Sequence, residues 1–290
     1  MKELRQITVL GLGLLGASIT LAVSRSLSAV KTVGFSHRDS TRATARKLCV
    51  ANEIADDIAA AVSSADLVIL ATPICTFEQT FIQIADYLPD GCIVTDVGST
   101  KALAHKWAKK NLPSRVQYVG SHPIAGSEQR GVEFARDDLF VGADCILTAV
   151  KNTDVLAVER LRKFWTSLGS RVMVMDPAKH DKLLANISHL PHITAAALLN
   201  ANNDNDLRMA GKGFIDTSRV ASGPANVWTD ILVTNTDNIC KSIERLGREL
   251  KKLQTAVKNK NAKQIEKLLE SARSKRAAMI DYKLKKKDML

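Results

Sequence analysis

Residues 7–16 read ITVLGLGLLG, an apolar strand that runs directly into a G-x-G-x-x-G turn, and this segment decides the fold. The small apolar residues 17–23 that follow predict a helix. Gly11 permits the tight turn, Gly13 lets the backbone approach a pyrophosphate, and Gly16 lets helix and strand pack closely. The N-terminus of the helix then points its free N–H groups at phosphate. The segment predicts a dinucleotide site, and the alternative is a glycine-rich turn in another α/β protein.

Strand and helix patterns alternate through the first 176 residues. Short apolar runs predict strands over 6–10, 31–36, 67–71, 92–96, 116–120, 145–149 and 171–175. Amphipathic patterns predict helices over 14–28, 40–50, 75–87, 100–110 and 154–168. The alternation indicates βαβ units and a mostly parallel sheet with right-handed crossovers. Ligands bind beyond the carboxyl ends of such strands, and the segments 72–73, 96–99 and 121–123 fall there.

The pattern changes after residue 176, so we predict domains over 1–176 and 177–290. A helix is expected over 178–200, a loop-rich stretch over 202–226, and long helices over 227–255 and 261–283. The first long helix carries an apolar seam of Ile239, Ile243, Leu246, Leu250, Leu253 and Val257. Such a seam needs a partner. The neighbouring helix (Ile265, Leu268, Leu269, Ala272) and a second subunit are both expected, which predicts a helical dimerisation domain and a homodimer.

Composition indicates a soluble globular protein of the reducing cytoplasm. The chain of 290 residues is 46% hydrophobic and 24% charged. No apolar run approaches the roughly 20 residues of a membrane span, and the first strand begins too early to leave space for a signal peptide. Its five cysteines (49, 75, 92, 145 and 240) are scattered, without a C-x-x-C pair, which predicts buried thiols.

The net charge of +11 raises the possibility of nucleic-acid binding, but its distribution argues against it. Residues 241–290 hold 16 Lys and Arg against 6 Asp and Glu, so the excess lies in the last helices. Tyr282 is the one aromatic residue there that could stack on a base. We expect a solvated basic helix face and no nucleic-acid partner, while attraction of anionic ligands stays open.

The end of the second strand selects between NAD and NADP. An acidic residue about 20 positions after the glycines would bind the ribose 2′-hydroxyl of NAD. Here residues 34–38 read GFSHR, and no carboxylate appears before Asp39. Ser36 can hydrogen-bond a 2′-phosphate, and Arg38, after His37, can pair with it through its planar guanidinium. We predict NADP, with NAD as second choice if Asp39 reaches the ribose. The rest of the predicted cofactor site is Leu14, Leu15, Thr72, Pro73 and Ser99.

Four further motifs follow in order: DVGSTK at 96–101, GSHPIAGSE at 120–128, SHLPH at 188–192 and GFIDTSRVA at 213–221. Together, after the dinucleotide turn, they closely resemble the TyrA family of prephenate and arogenate dehydrogenases over roughly residues 5–235. The stretches GFSHR and DTSRV are most similar to NADP-using arogenate dehydrogenases of cyanobacterial type. The resemblance implies a doubly wound α/β Rossmann domain, an all-α dimerisation domain, and an oxidative decarboxylation in tyrosine biosynthesis.

His122 is the predicted general base of that reaction. The substrate is a cyclohexadienol whose C4 hydroxyl must lose a proton as C4 loses hydride, and histidine titrates in the required range. The alternative is a structural histidine bonded to backbone. Ser99 is predicted to bond His122 and either the substrate or the nicotinamide, although a serine there also suits the N-cap of helix 100–110.

Arg219 is predicted to bind the ring carboxylate in two-point geometry. The alternative is a structural ion pair with Asp216 or Glu128. The remaining predicted substrate-binding residues are Ser188, His189, His192, Glu128 and Trp228, the last with core packing as its alternative. The His189/His192 spacing resembles a metal pair, but no further ligand cluster is evident, so no metal is expected. We expect a structural role for His180 and Asp181, and a surface position for His37 and His105.

We expect prephenate as substrate, with arogenate close behind, because the two differ only in a keto or an amino group. A β-hydroxyacid or imine-type reductase with the same two-domain plan is the alternative enzyme class. A non-enzymatic, redox-sensing NADP-binding protein is the third hypothesis. No chorismate mutase domain and no C-terminal regulatory domain are expected in the chain.

Overall fold

A computed structural model describes residues 4–125 and 129–285. The strands that it describes are β1 (Gln6–Leu10), β2 (Lys31–Phe35), β3 (Glu53–Ile54), β4 (Leu67–Leu70), β5 (Ile93–Asp96), β6 (Gln117–Tyr118), β7 (Gly120–Pro123), β8 (Asp144–Thr148) and β9 (Arg171–Met175). The α-helices are α1 (Leu14–Ser26), α2 (Asp39–Lys47), α3 (Ile58–Val62), α4 (Phe77–Ile84), α5 (Ala102–Asn111), α6 (Val155–Ser167), α7 (Pro177–Leu184), α8 (Leu190–Asn200), α9 (Asp204–Arg208), α10 (Lys212–Ser218), α11 (Ala225–Thr234), α12 (Thr236–Lys258) and α13 (Ala262–Lys285).

Six parallel strands form the main sheet in the order β3-β2-β1-β4-β5-β6. This is the doubly wound order of a Rossmann domain, so the predicted fold class is confirmed. The register aligns Leu10 with Phe35 on one side and with Leu70 on the other, and it aligns Leu70 with Asp96. The carboxyl ends of β2, β1, β4 and β5 therefore lie in a row, where the predicted cofactor residues begin.

A second sheet of three strands, in the order β7-β8-β9, was not predicted. The expected single strand over 116–120 is wrong, because β6 ends at Tyr118 and β7 begins at Gly120 in the other sheet. There β7 pairs antiparallel with β8, and His122 lies opposite Ile146. The short strand β3 and helix α3 were also missed. Neither is longer than five residues, which is too short for a clear period.

The buried side chain of Ser121 ties the two sheets together beside His122. Its Oγ lies 2.7 Å from Thr95 Oγ1 on β5 and accepts a hydrogen bond of 3.0 Å from Trp165 Nε1 on α6. Trp165 is fully buried and meets Phe140 and Phe164 edge to face. A buried indole N–H needs such an acceptor, so core packing and the position of β7 depend on the same contact.

The helical part is more broken than the sequence predicts. The expected helix over 178–200 is interrupted by a π-helical turn, Ala185–His189. Pro191 lacks an N–H, and its ring would clash with the carbonyl four residues earlier in a regular helix; the wider turn relieves this. The stretch 202–226, expected as loop, contains α9 and α10. The helix expected over 227–255 is divided at Asn235 into α11 and α12.

The chain divides into two compact units, residues 1–239 and 240–290. In the second unit, the seam residues Ile243, Leu250 and Val257 of α12 are exposed. Cys92 and Cys145 are buried as expected, but the other three cysteines are exposed, so burial was wrongly predicted for them. None of the described helices combines the length and apolar character that a membrane crossing requires.

Candidate active site

The glycine-rich turn has the shape that a dinucleotide needs. Gly11 has a φ of +103°, and a Cβ there would lie 2.7 Å from the Ala71 carbonyl. A Cβ on Gly16 would lie 1.8 Å from Gly11 O, so only glycine lets α1 pack on this turn. A Cβ on Gly13 would meet no atom within 4 Å, which leaves open space before the N-terminus of α1. The residues present therefore fit a pyrophosphate bound at a helix N-terminus.

The carboxylate of Asp39 is already engaged at the end of β2. Asp39 begins α2 and bonds the Arg42 guanidinium, which also donates to Ser36 O at 2.7 Å and to Asp56 at 3.1 Å. Ser36 is almost fully buried, and its Oγ accepts a 3.3 Å hydrogen bond from Arg38 N. The Arg38 side chain is exposed and has no ion pair with a described residue. A cation, and not a free carboxylate, is therefore available at this strand end.

The other predicted cofactor residues lie on or near the same sheet edge. Thr72 is half-buried and contacts the glycine turn, because a Cβ on Gly11 would approach its Cγ2 to 2.9 Å. Pro73 and His37 are exposed, and Leu14 and Leu15 are half-buried in the first turn of α1. The predicted surface position of His37 is thus correct.

A buried ion pair follows β5 and supports the loop at 97–100. Asp96 and Lys101 are both fully buried and contact each other. Asp96 also accepts hydrogen bonds of 2.6 Å from Gly98 N and from the Tyr118 hydroxyl, while Lys101 Nζ donates to Ser121 O at 2.7 Å. Burial and the Asp96 carboxylate raise the pKa of Tyr118 well above its usual value, so Tyr118 stays a donor. Residues at the two ends of the D-V-G-S-T-K motif therefore stabilise two segments. Asp96 bonds the loop at Gly98, and Lys101 bonds β7 at Ser121.

Ser99 lies in this loop, half-buried, and makes no hydrogen bond to His122. The alternative role as an N-cap is wrong, because α5 begins at Ala102 with Lys101 as the preceding residue. The carboxylate of Asp181 caps the helix instead: its Oδ1 accepts from Lys101 N and its Oδ2 from Ala102 N, both at 2.8 Å. The Ser99 hydroxyl remains available to a ligand.

His122 is the first member of a chain of three side chains. Its Nδ1 lies 2.9 Å from Nε2 of His180, and Nδ1 of His180 lies 2.8 Å from Oδ1 of Asp181. His180 and Asp181 are completely enclosed, whereas His122 keeps 9% of its surface exposed. A structural role was expected for His180 and Asp181, and their connection to His122 was not predicted. The available signal was a His-Asp dipeptide one turn after the Asp-Pro helix start.

Burial lowers the pKa of His122 well below its usual value, and the neighbouring His180, Lys101 and His189 lower it further. The pKa of His180 is also lowered, first by burial, although its bond to Asp181 opposes the shift. Both imidazoles are therefore neutral at pH 7. A neutral His122 is able to accept a proton without first losing one.

His189, in the π-helical turn, and His192, on α8, form a second group with Asn235 and with Trp228 of α11. Asn235 Nδ2 donates to the Asp181 carbonyl at 2.8 Å and lies 3.2 Å from His189 Nδ1. His192 stacks on Trp228 with 3.5 Å between ring centroids, and its Nδ1 donates to Val220 O at 2.8 Å. We refer to His122, His180, Asp181, His189 and His192 as the histidine cluster. The cluster begins at His122 on β7, and its last member, His192, bonds Val220, the residue after Arg219.

Arg219 begins a short 3-10 turn, Arg219–Ser222, and its side chain is exposed. The expected alternative, an ion pair with Asp216, is not present, and Arg219 pairs with no described residue. Glu128, the other candidate partner, lies outside the described residues. Ser188 is half-buried in the π-helical turn. The Arg219 guanidinium is thus available for an anion.

The surface position expected for His105 is wrong. It is half-buried on α5, where Nε2 lies 2.9 Å from Thr148 Oγ1 and the ring meets Tyr118 edge to face. Burial lowers its pKa to about 4. The described residues contain no group of three or more His, Cys, Asp or Glu side chains arranged for a metal ion.

Two domain models of one protein family match this chain. The nucleotide-binding domain of prephenate dehydrogenases matches residues 19–174, and their dimerization domain matches residues 176–271. The chain belongs to the prephenate dehydrogenase family. The match begins after the glycine turn, so the turn is separate support for a nucleotide-binding domain in this family member.

Individual relatives of the family extend over nearly all of the chain. A prephenate dehydrogenase of Bacillus subtilis is 36% identical over 280 residues, which cover 93% of this chain and 75% of that protein. The structure of prephenate dehydrogenase from A. aeolicus in complex with hydroxyphenyl propionate and NAD+ has a TM-score of 0.88 at 29% identity, covering 96% and 99% of the two chains. Synechocystis arogenate dehydrogenase has a TM-score of 0.82 at 31% identity, covering 94% and 99%.

Proposed function

We propose that this chain is an NADP-dependent dehydrogenase that oxidatively decarboxylates prephenate or arogenate in tyrosine biosynthesis. The observation that carries the proposal is a neutral, buried His122 in a chain that belongs to the prephenate dehydrogenase family. Family membership also favours this activity over the β-hydroxyacid or imine-type reductase that the sequence left open.

His122 acts as the general base. NADP held at the glycine turn would supply a hydride acceptor for C4 of the substrate. His122 takes the proton of the C4 hydroxyl, whose oxygen becomes a carbonyl. Ser99, whose hydroxyl has no partner among the described residues, donates a hydrogen bond to that oxygen or to the nicotinamide amide. Because His122 is neutral at pH 7, the reaction needs no prior deprotonation.

Arg219 holds the ring carboxylate until it leaves. The guanidinium offers two parallel donors to the two carboxylate oxygens, and no described residue competes for them. The bond between the ring and the carboxylate then breaks, its electrons pass through the ring to the C4 oxygen, which regains a proton as a phenol, and carbon dioxide departs. Aromatisation makes the step effectively irreversible.

The side-chain end of the substrate would lie against the histidine cluster. Ser188, His189, His192 and Trp228 provide polar atoms and a stacked aromatic face there. The sequence favours prephenate, with arogenate close behind. An acidic group near the substrate amine would favour arogenate, and Glu128, outside the described residues, is the sequence candidate for it.

The charged side chains that follow β2 support NADP over NAD as the cofactor. Asp39 is bound to Arg42, so its carboxylate is not free for a ribose 2′-hydroxyl, whereas Arg38 is unpaired and exposed. Ser36 and His37 are the neighbouring candidates for the 2′-phosphate. Arg38→Ala should reduce the preference for NADP, while Lys47→Ala, a cation at the other end of α2, is the matched control.

A homodimer through the helical part completes the proposal. The three exposed seam residues of α12, Ile243, Leu250 and Val257, and the match of residues 176–271 to a dimerization domain support it. A cytoplasmic location is supported by five cysteines that are all free thiols, three of them exposed, because exposed thiols persist in reducing compartments.

A cofactor-reduction assay tests the proposed function. Prephenate and arogenate are each supplied with NADP and with NAD, and the absorbance of the reduced cofactor is followed. We expect turnover with at least one substrate and a higher kcat/KM with NADP. Absence of turnover with both substrates would contradict the activity, and a higher kcat/KM with NAD would contradict the cofactor assignment.

A further inference from the structure

The side chains of His180 and Asp181 follow His122 Nδ1 in a chain of hydrogen bonds. They come from α7, whereas His122 comes from β7, 58 residues earlier in the chain. Enclosing an imidazole and a carboxylate completely is costly unless both are bonded. Both side chains are hydrogen-bonded here, and the hydrogen bonds connect Asp181 to His180 and His180 to His122.

The direction of these hydrogen bonds follows from the donors and acceptors. Asp181 accepts from two backbone N–H groups at the start of α5, which favours its charged, acceptor-only form. Nδ1 of His180 must therefore carry a proton and donate it to Asp181. In a neutral His180 the other nitrogen, Nε2, is then an acceptor, so Nδ1 of His122 must be the donor.

We propose that His180 and Asp181 are positioning residues that hold His122 in the Nδ1–H tautomer, so that Nε2 of His122 is the proton acceptor. The inference rests on the proposed function for the identity of the substrate hydroxyl. It adds two residues that touch neither substrate nor cofactor, and it states which nitrogen of His122 reacts.

Neighbouring groups favour a neutral His122 at rest. Lys101, just before α5, and His189, in the π-helical turn, both disfavour a positive charge on His122. Asn235 secures the backbone at Asp181, where its amide donates to the carbonyl oxygen. After proton transfer, the new charge on His122 faces the acceptor nitrogen of His180, and behind it the Asp181 carboxylate.

Two substitutions of His180 separate positioning from simple packing. His180→Leu retains the volume but removes the acceptor, and we expect kcat to fall by about 10²–10⁴-fold, as for a histidine held in the wrong tautomer. His180→Gln keeps an acceptor near the position of Nε2, and we expect kcat within about 10-fold of the unchanged protein. The substrate KM and the NADP Kd should change little in both variants, because neither ligand touches His180.

His105→Gln is the matched control. His105 is also a partly enclosed imidazole whose pKa is lowered by burial, but its partner is Thr148. We expect kcat of this variant to stay unchanged. A kcat loss in His105→Gln equal to that in His180→Leu would mean that any buried histidine here has this effect, and would overturn the proposal.

A tautomer measurement gives a readout independent of turnover. In the ¹⁵N-labelled protein, His122→Asn removes one imidazole signal and so assigns it. We expect Nδ1 of His122 to be the protonated nitrogen, and His180→Leu to shift the proton to Nε2 or to mix the two forms. A proton on Nε2 in the unchanged protein would overturn the proposal even if every His180 variant failed to fold.

The two proposals fail differently. If the protein turns over neither prephenate nor arogenate, the proposed function fails, while the tautomer of His122 still decides the positioning role. If the protein is active and His180→Leu retains kcat with an unshifted tautomer, the positioning role fails and the proposed function stands.

Discussion

The glycine turn and the histidine cluster form the two halves of the site in opposite ways. Gly11, Gly13 and Gly16 lie within six residues and act through the backbone, because their lack of a side chain is what matters. The histidine cluster gathers side chains from β7, α7 and α8, and acts through burial and hydrogen-bond direction. The first half is local in the chain, and the second exists only after folding.

This difference predicts how each half responds to substitution. A backbone site fails by steric overlap, which affects folding and cofactor binding together. A side-chain site fails by loss of a proton acceptor or of a charge, which affects rate or affinity while the fold persists.

Gly16→Ala should have the largest effect. The added Cβ would lie 1.8 Å from Gly11 O, so α1 must move, and we expect a loss of about 3 kcal/mol or more in the free energy of unfolding. Thermal unfolding measures it. Gly13→Ala is the control, because its Cβ meets no protein atom. It should unfold near the original temperature but bind NADP more weakly. Equal stability of the two variants would contradict the steric account.

His122→Asn should lower kcat by about 10²–10⁴-fold, the contribution of a positioned acid–base group. Substrate affinity should be nearly kept, because the asparagine retains a polar group without a basic nitrogen. Steady-state kinetics with a folded variant, checked by circular dichroism, measures this. An unchanged kcat would remove His122 from the mechanism and leave the histidine cluster as a structural element.

Arg219→Ala should mainly raise the KM of the substrate, by about 10–10²-fold, which corresponds to the loss of a hydrogen-bonded charge partner. Arg219→Lys keeps the charge without the two-point geometry and should give an intermediate KM. A fall in kcat with KM unchanged would show that Arg219 acts in the chemical step rather than in binding.

Acid should weaken the fold gradually through its buried histidines. Burial lowers the pKa of both His105 and His189 to about 4, below the value of about 6.5 in an unfolded chain. Between these values the unfolded chain binds protons that the folded chain does not. The free energy of unfolding should therefore decrease as the pH is lowered from about 6.5 to about 4. The decrease is at most about 1.4 kcal/mol per pH unit for each histidine.

Denaturant unfolding between pH 7 and pH 4 measures this dependence. His105→Gln removes one of the two groups, so its stability should fall less steeply over the same range. A slope identical to that of the unchanged protein would show that His105 titrates normally when folded.

The sequence predicted the local half of the site well. The Rossmann order and the turn glycines followed from short motifs whose chemistry is visible in consecutive residues. His122 was expected just past a strand over 116–120, but it lies within β7 of the second sheet. The second sheet was missed because Val119, between β6 and β7, interrupts neither the apolar pattern nor the β propensity of 116–120.

Long-range contacts limited the other half. His180 and Asp181 resemble ordinary polar residues of a capped helix, and their role depends on β7 reaching α7. An N-cap role was the alternative considered for Ser99, because a serine before a helix is the usual signal, whereas Asp181, about 80 residues away, supplies the cap of α5. The division at Asn235 went unseen because the pattern of α11 and α12 is continuous.

A crystal structure with NADPH and prephenate tests the central claim most directly, since the reduced cofactor cannot accept a hydride and the substrate survives. We predict that Nε2 of His122 contacts the C4 hydroxyl while Arg219 binds the ring carboxylate of the same molecule. A complex in which Nε2 faces away from the substrate, or in which the carboxylate is held by other groups with Arg219 in solvent, would contradict the account.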